Sequence, residues 1–318
     1  MTTELVSMPT EALAPRSMPA DRHPVATYLR SIGSGSRRTM GESLELIADI
    51  LTSGQFDAQT LPWGGLRYQH TSAVRAVLAE RYATATANKM LSALRGVLRE
   101  AWRLGYLTPA DYSRAIDLKP VKGTTLPRGR CLDAGEINAI FATCCADDSP
   151  AGYRDAALLA LLYGAGIRRS EAVGLDTDDY NASTGEVRVQ GKGNRERLVY
   201  ASNGAGDAVN DWLAVRGETP GPLFLPIRKG GSVQHRRMTT EAVYKMLVKR
   251  AKQAGVASFS PHDLRRTFIG DMLDAGADIS LVQRLAGHAN VTTTQRYDRR
   301  PEEAKKKAAA LLHVPYRR

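Results

Sequence analysis

Apolar residues recur at three- and four-residue spacing over most of this chain, a period that predicts helices. Leu44, Ile47, Ala48 and Leu51 form one such stripe, behind Thr39-Met-Gly-Glu42, which reads as a capping box. A second helix is predicted over about 71–82. A third, over about 86–104, aligns Leu91, Leu94, Val97, Leu98, Ala101 and Leu104, with Gly105 where a C-cap belongs. Asp133 is placed to cap a helix running to about 144, and another covers about 152–164. The period then changes to two. Val187-Arg-Val189 and Leu198-Val-Tyr200 flank Gly191-Lys-Gly-Asn194, which predicts a β-hairpin with a polar turn. Helices follow over about 205–216, 240–254, 262–275, 279–285 and 291–297, and an amphipathic tail helix over about 301–312. No internal repeat is visible.

Two stretches break these patterns and set the organisation. Residues 1–23 are rich in Pro, Met, Ala and Ser and read as a flexible arm. Residues 108–130 mix Pro109, Pro120, Pro127, Gly123 and Gly129 with Lys119, Lys122, Arg128 and Arg130, and read as a basic linker. A chain of 318 residues is long enough for two domains, here expected over 24–107 and 131–318.

Composition narrows the class. There is no long uncharged apolar run for a membrane span and no signal-peptide block near the N-terminus, so the chain is expected in the cytoplasm. Cys131, Cys144 and Cys145 are too few and too clustered for a disulfide scaffold. The formal net charge is +11, and the excess is spread over both halves of the chain, which points to a polyanion such as nucleic acid. Arg95, Arg99 and Arg103 repeat at four-residue spacing on the third helix. They form either a solvated face or a stripe that tracks phosphates.

Familiar site types are missing. Gly191-Lys-Gly-Asn194 lacks Walker A spacing, no Gly-x-Gly-x-x-Gly or Gly-x-Ser-x-Gly occurs, and the His and Cys residues have no zinc spacing. No set of carboxylates suggests a two-metal nuclease. Chemistry would fall to Arg, Lys, His and Tyr. Those types concentrate in the C-terminal half. Arg168 emerges from an apolar run with Glu171 as a ready partner, and Lys192 sits at the hairpin tip. His262 and Arg265 share a helix face, and His288 and Tyr297 follow.

Taken in order, these segments resemble the tyrosine recombinase (phage integrase) family. They are Tyr163-Gly-Ala-Gly-Ile-Arg168-Arg-Ser-Glu171-Ala-Val-Gly-Leu175, Gly191-Lys192-Gly, Pro261-His262-Asp-Leu-Arg265-Arg-Thr267, Leu285-Ala-Gly-His288 and Thr294-Gln-Arg-Tyr297. The stretch Thr86-Ala-Asn88-Lys-Met-Leu91-Ser-Ala-Leu-Arg95 also resembles the core-binding domain of integrases and Xer-type recombinases. The resemblance spans about 24–312. Arg266 departs from the residue many relatives carry, and His288 stands where some have Trp.

The resemblance implies a mainly α fold with a small β-sheet: an N-terminal helical core-binding (SAM-like) domain and a C-terminal mixed α/β catalytic domain. It implies a site-specific recombinase that cuts and rejoins DNA through a 3′-phosphotyrosyl intermediate, with no cofactor, metal or ATP. Arg168 and Arg265 would hold the non-bridging phosphate oxygens and His288 would donate to them. Tyr297 would attack, His262 would take its proton, and Lys192 would protonate the leaving 5′-oxygen. Glu171 would support Arg168 or His262. Arg95, Arg99, Arg228, Lys229, Arg236 and Arg237 are candidate DNA contacts, from charge and resemblance together. Implied partners are double-stranded DNA recombination sites and further copies of the chain, as a tetramer on DNA, with the tail helix docking on a neighbour or packing in cis. An accessory protein or a second recombinase, and the subtype, are left open. A type IB topoisomerase and a DNA-binding regulator are the alternatives.

Overall fold

In the computed structural model, residues 19, 21–123, 129–191, 195–298 and 309 are described. The expected arm (apart from its last residues), Lys192 and the tail helix lie outside the described residues. The chain divides into two compact units, 1–127 and 128–318.

The first unit is helical: α1 (Pro24–Ser31), α2 (Ser34–Thr52), α3 (Tyr68–Arg81), α4 (Thr84–Arg103) and α5 (Pro109–Ile116). The apolar stripes expected of α2 and α4 are its core, with Leu44, Ile47, Leu91, Leu94 and Leu98 fully buried beside Val74 and Leu78 of α3. Burying each such side chain contributes about 1.5–3 kcal/mol. Trp63, from the connection between α2 and α3, also enters the core and donates its indole N–H to the Ala58 carbonyl at 2.9 Å.

Two expectations are corrected here. Thr39 does not open a helix, because α2 begins five residues earlier at Ser34, and the Ser43 hydroxyl donates to the Thr39 carbonyl inside it. The segment 108–130 is not linker throughout. Pro109 occupies the first turn of α5, where proline is tolerated, and the Thr108 side chain caps it. Ala115 and Leu118 are buried against α4 and α3. Beyond α5 the chain is pinned down: Asn88 exchanges two hydrogen bonds with the Val121 backbone, both 2.9 Å, and Arg75 donates to the Lys119 carbonyl.

The second unit contains α6 (Ala134–Cys145), α7 (Pro150–Gly164), α8 (Arg169–Gly174), a small sheet, α9 (Gly204–Arg216), α10 (Thr240–Gln253), α11 (Pro261–Asp274), α12 (Ile279–Ala286) and α13 (Val291–Gln295). The Asp133 side chain caps α6 by accepting from the Glu136 N–H, and the Glu136 carboxylate accepts from the Asp133 N–H in return. Buried Leu158, Leu159, Leu161 and Leu162 make α7 the centre, packed by α6 and α9. The sheet is antiparallel in the order β1-β2-β3, from Tyr180–Asn181, Glu186–Gly191 and Arg195–Tyr200. Val187 pairs with Val199 and Val189 with Arg197. Val187, Val189 and Val199 are buried while Leu198 is 46% exposed, so the inward face of β3 carries Arg197 and Val199. Asp155 on α7 joins Arg154 (2.6 Å) to Arg250 on α10 (2.8 Å) in a buried ion network. Among the described residues no helix is long and apolar enough to cross a membrane.

Candidate active site

The site gathers around the C-terminal end of α12. A helix end leaves its last carbonyls without intrahelical partners and carries a partial negative charge. Here Gly287 turns the chain in the left-handed conformation, at φ 61° and ψ 44°. The three consecutive carbonyls of Leu285, Ala286 and Gly287 each accept from a different arginine. Arg197 Nε reaches Leu285 at 2.9 Å, Arg265 Nη2 reaches Ala286, and Arg168 Nη2 reaches Gly287 at 2.9 Å.

Arg168 is the N-cap residue of α8, and its position follows from Gly166. Gly166 has φ +62°, and a Cβ there would lie 2.2 Å from the Phe268 ring. Its carbonyl accepts from Arg265 Nη1 at 2.5 Å. Arg265 is 2% exposed, yet carbonyls rather than carboxylates satisfy it, so its positive charge is not cancelled where it stands. Burial and the nearby Arg168 pull its pKa down to about 9, which still leaves it charged at neutral pH.

Glu171 is the one carboxylate of this cluster and sits on α8, with its side chain 4% exposed. Its Oε1 accepts from Arg168 Nη1 at 2.6 Å and Arg197 Nη1 at 3.0 Å. Its Oε2 accepts from the Arg168 backbone N–H and Arg197 Nη2, both at 2.8 Å. Burial alone would raise its pKa, but the hydrogen bonds from Arg197 and Arg168 outweigh that and hold it down at about 2.

Two histidines and a tyrosine complete the site. His262, in the first turn of α11, places Nε2 3.2 Å from the Tyr297 hydroxyl. Desolvation, with Arg266 and Arg265 close by, lowers its pKa below the usual 6.5, so the ring is neutral at pH 7 and able to accept a proton. His288 follows Gly287, and its Nδ1 lies 2.9 Å from the hydroxyl of buried Thr294. With that hydroxyl donating, the ring proton sits on Nε2. Burial and the surrounding arginines push the His288 pKa down to about 4. Tyr297 closes the turn after α13, 6.2 Å from the His288 ring, with the Arg266 guanidinium 5.4 Å from its own ring centroid. Five of the six residues expected to do chemistry, Arg168, His262, Arg265, His288 and Tyr297, are therefore gathered with Glu171 in one place. Lys192 lies outside the described residues.

Arg197 was not anticipated. The signal was present: alternation along β3 puts residue 197 on the same face as Val199, and an inward-facing arginine needs a partner. The expected DNA contacts divide. Arg99, Arg228, Lys229, Arg236 and Arg237 are exposed, with Arg99 bonded to Tyr112. Arg95 instead donates to the Leu118 and Ile116 carbonyls. Arg237 donates to the Val173, Gly174 and Leu175 carbonyls and pairs with Asp176 at 2.6 Å. Among the described residues no group of three His, Cys, Asp or Glu side chains could hold a metal ion. A cavity of about 680 Å³ opens from Arg168, His262 and Arg265 toward Thr240, Glu241 and Tyr244.

The chain is similar to known proteins over most of its length. The phage integrase family matches residues 130–303. A tyrosine recombinase XerD of Mycobacterium leprae is 35% identical over 287 residues, covering 86% of this chain and 85% of the relative. A tyrosine recombinase XerC of Vibrio parahaemolyticus is 38% identical over 190 residues, covering 57% of this chain and 59% of the relative. The fold is shared with the Tn1549 transposon integrase in complex with transposon right end DNA, at TM-score 0.65 and 17% identity over 92% of this chain and 99% of that one. It is shared also with the XerH site-specific recombinase bound to difH substrate, at TM-score 0.62 and 19% identity over 92% of this chain and 85% of that one. The chain belongs to the phage integrase family of tyrosine recombinases, site-specific enzymes that break and rejoin DNA.

Proposed function

We propose that the chain joins two short DNA sites through a covalent 3′-phosphotyrosyl link on Tyr297. The observation that carries the reading is the His262–Tyr297 contact at 3.2 Å, set beside Arg265, which bonds carbonyls, and Arg168, which shares Glu171 with Arg197. Tyr297 Oη attacks phosphorus while its proton passes to His262 Nε2. The 5′-oxygen departs and takes a proton, a role the family resemblance gives to Lys192. Negative charge growing on the non-bridging oxygens is met by Arg168 and Arg265, and by the Nε2–H of neutral His288. Fixed donors of this kind are worth about 10²–10³ in rate each. The phosphodiester bond is exchanged for a phosphotyrosyl bond of similar energy, so a 5′-hydroxyl from the second site reverses the chemistry without ATP. The reading assigns no cofactor.

The first unit supplies the core-binding domain and the second the catalytic domain. Arg99, Arg228, Lys229 and Arg236 meet DNA phosphates, while Arg95 and Arg237 keep their internal carbonyls. Four copies assemble on two sites in the cytoplasm, with the tail beyond Tyr297 docking on a neighbour. A topoisomerase-like relaxation and a non-catalytic regulator are the lesser readings.

The test is a plasmid carrying two copies of the DNA that flanks this gene. Wild-type protein is expected to yield joined products and Tyr297→Phe none. A change in linking number without joining would favour the topoisomerase reading, and the absence of both from wild type would overturn the proposal.

A further inference from the structure

We propose that Arg197 is a positioning residue of the cleavage reaction: from β3 it holds Glu171 and the Leu285–Gly287 turn so that Arg168 and His288 face the phosphate. The proposal rests on the reading of the site given above. It is carried by three features of the geometry.

Arg197 first divides the acceptor capacity of Glu171. Arg168 would form a forked, two-point pair with a lone carboxylate, the geometry a guanidinium and a carboxylate favour. Arg197 already occupies both oxygens, at 3.0 and 2.8 Å, so Arg168 bonds Oε1 through Nη1 alone and spends Nη2 on Gly287. Without Arg197, the Arg168 fork is free to close on Glu171 and withdraw from the cleft.

The second feature is the turn before His288. Arg197 Nε satisfies the Leu285 carbonyl, and a Cβ on Gly287 would sit 3.0 Å from its guanidinium. The close approach of Gly287 and Arg197 sets where residue 288 leaves α12. Charge is the third. With Arg168 and Arg197 both on Glu171, the trio keeps one net positive charge beside the site, where a single pair would be neutral. The Arg197 side chain is 14% exposed and spends its donors on Glu171 and Leu285, so it acts through its neighbours.

The experiment uses the full chain and nicked DNA duplexes tiled across the region flanking its gene. On the duplex that traps wild type, adduct formation is timed under single turnover and DNA affinity is measured separately. Arg197→Ala is expected to slow adduct formation by roughly 100-fold, the cost of about an ångström of misplacement, with affinity within about twofold. A cavity lined by Arg168, Arg197, Gly287 and His288 opens beside the guanidinium, so added guanidinium ion should restore part of the rate in Arg197→Ala and none in Arg168→Ala. Arg197→Lys, which keeps the charge but cannot bond Glu171 twice and Leu285 once, should fall between. Glu171→Gln combined with Arg197→Ala should be little slower than the slower single variant, because both act through Arg168.

An Arg197→Ala protein that cleaves at the wild-type rate overturns the proposal. So does one that loses affinity and rate together without rescue by guanidinium, which is the mark of a purely structural role. Wild type that forms no adduct on any duplex overturns the reading of the whole site, and this proposal with it.

Discussion

Arg265 is buried, cationic and hydrogen-bonded to carbonyls, with Glu171 acting on its charge without bonding it. That arrangement depends on Gly166, which no other residue replaces without strain. Gly166→Ala would place a side chain at φ +62° and into Phe268. The expected cost is about 1–3 kcal/mol of stability, read by urea unfolding, with slower cleavage as Arg265 loses its acceptor. Unchanged stability would contradict the close packing of residues 166 and 268. The histidines give a pH signature. In the folded chain the His288 pKa is about 4, whereas an unfolded histidine titrates near 6.5. Protonation therefore favours unfolding. The stability that the neutral ring contributes is complete above pH 6.5 and is lost as pH falls toward 4. Unfolding curves of wild type and His288→Gln across that window should converge as pH falls, and parallel curves would contradict the assignment. At this scale the sequence was informative wherever a residue belonged to an ordered motif, as Arg168, His262, Arg265, His288 and Tyr297 did. Arg197 escaped because its role comes from strand parity and from two partners, 26 residues away at Glu171 and 88 away at Leu285, which no local pattern encodes.

Long helices were legible, α2 and α4 from their apolar stripes and α7 as a continuous apolar run. Short ones were not. α5 was hidden by proline at its first position and by the glycines and prolines after it, though tertiary burial of Ala115 and Leu118 holds it in place. α8 has only six residues, too few for a period to declare itself. Packing between elements of the second unit also uses charge. Asp155 ties α7 to α10 through Arg250, with both side chains 1% exposed. Removing one member of such a network strands a buried charge, so Asp155→Ala should cost about 3–5 kcal/mol and leave any remaining folded protein with its site chemistry intact. Thermal unfolding checks this. A loss under about 1 kcal/mol would contradict the burial of the pair.

Each of the two units has its own apolar core, so each should unfold as a cooperative body when expressed alone as 1–127 or 128–318. A fragment without a sharp transition would contradict that independence. The charge of the whole chain, +11, makes a prediction for binding. Affinity for duplex DNA should fall steeply with salt, and each lost phosphate contact should lower the log–log slope by about 0.9. Replacing Arg228, Lys229 and Arg236 with alanine should flatten the slope measurably, whereas replacing Arg237, already bound to the end of α8, should not. Equal slopes for wild type and the triple variant would remove those three residues from the interface.

The most direct test of the central claim is covalent trapping. Protein in EDTA is mixed with nicked duplexes from the DNA flanking its gene and run on a denaturing gel beside Tyr297→Phe and Arg168→Ala. A slow protein–DNA band is expected from wild type, a band weaker by about 10²–10³ from Arg168→Ala, and none from Tyr297→Phe. A band that survives Tyr297→Phe would contradict the assignment of Tyr297 as the nucleophile.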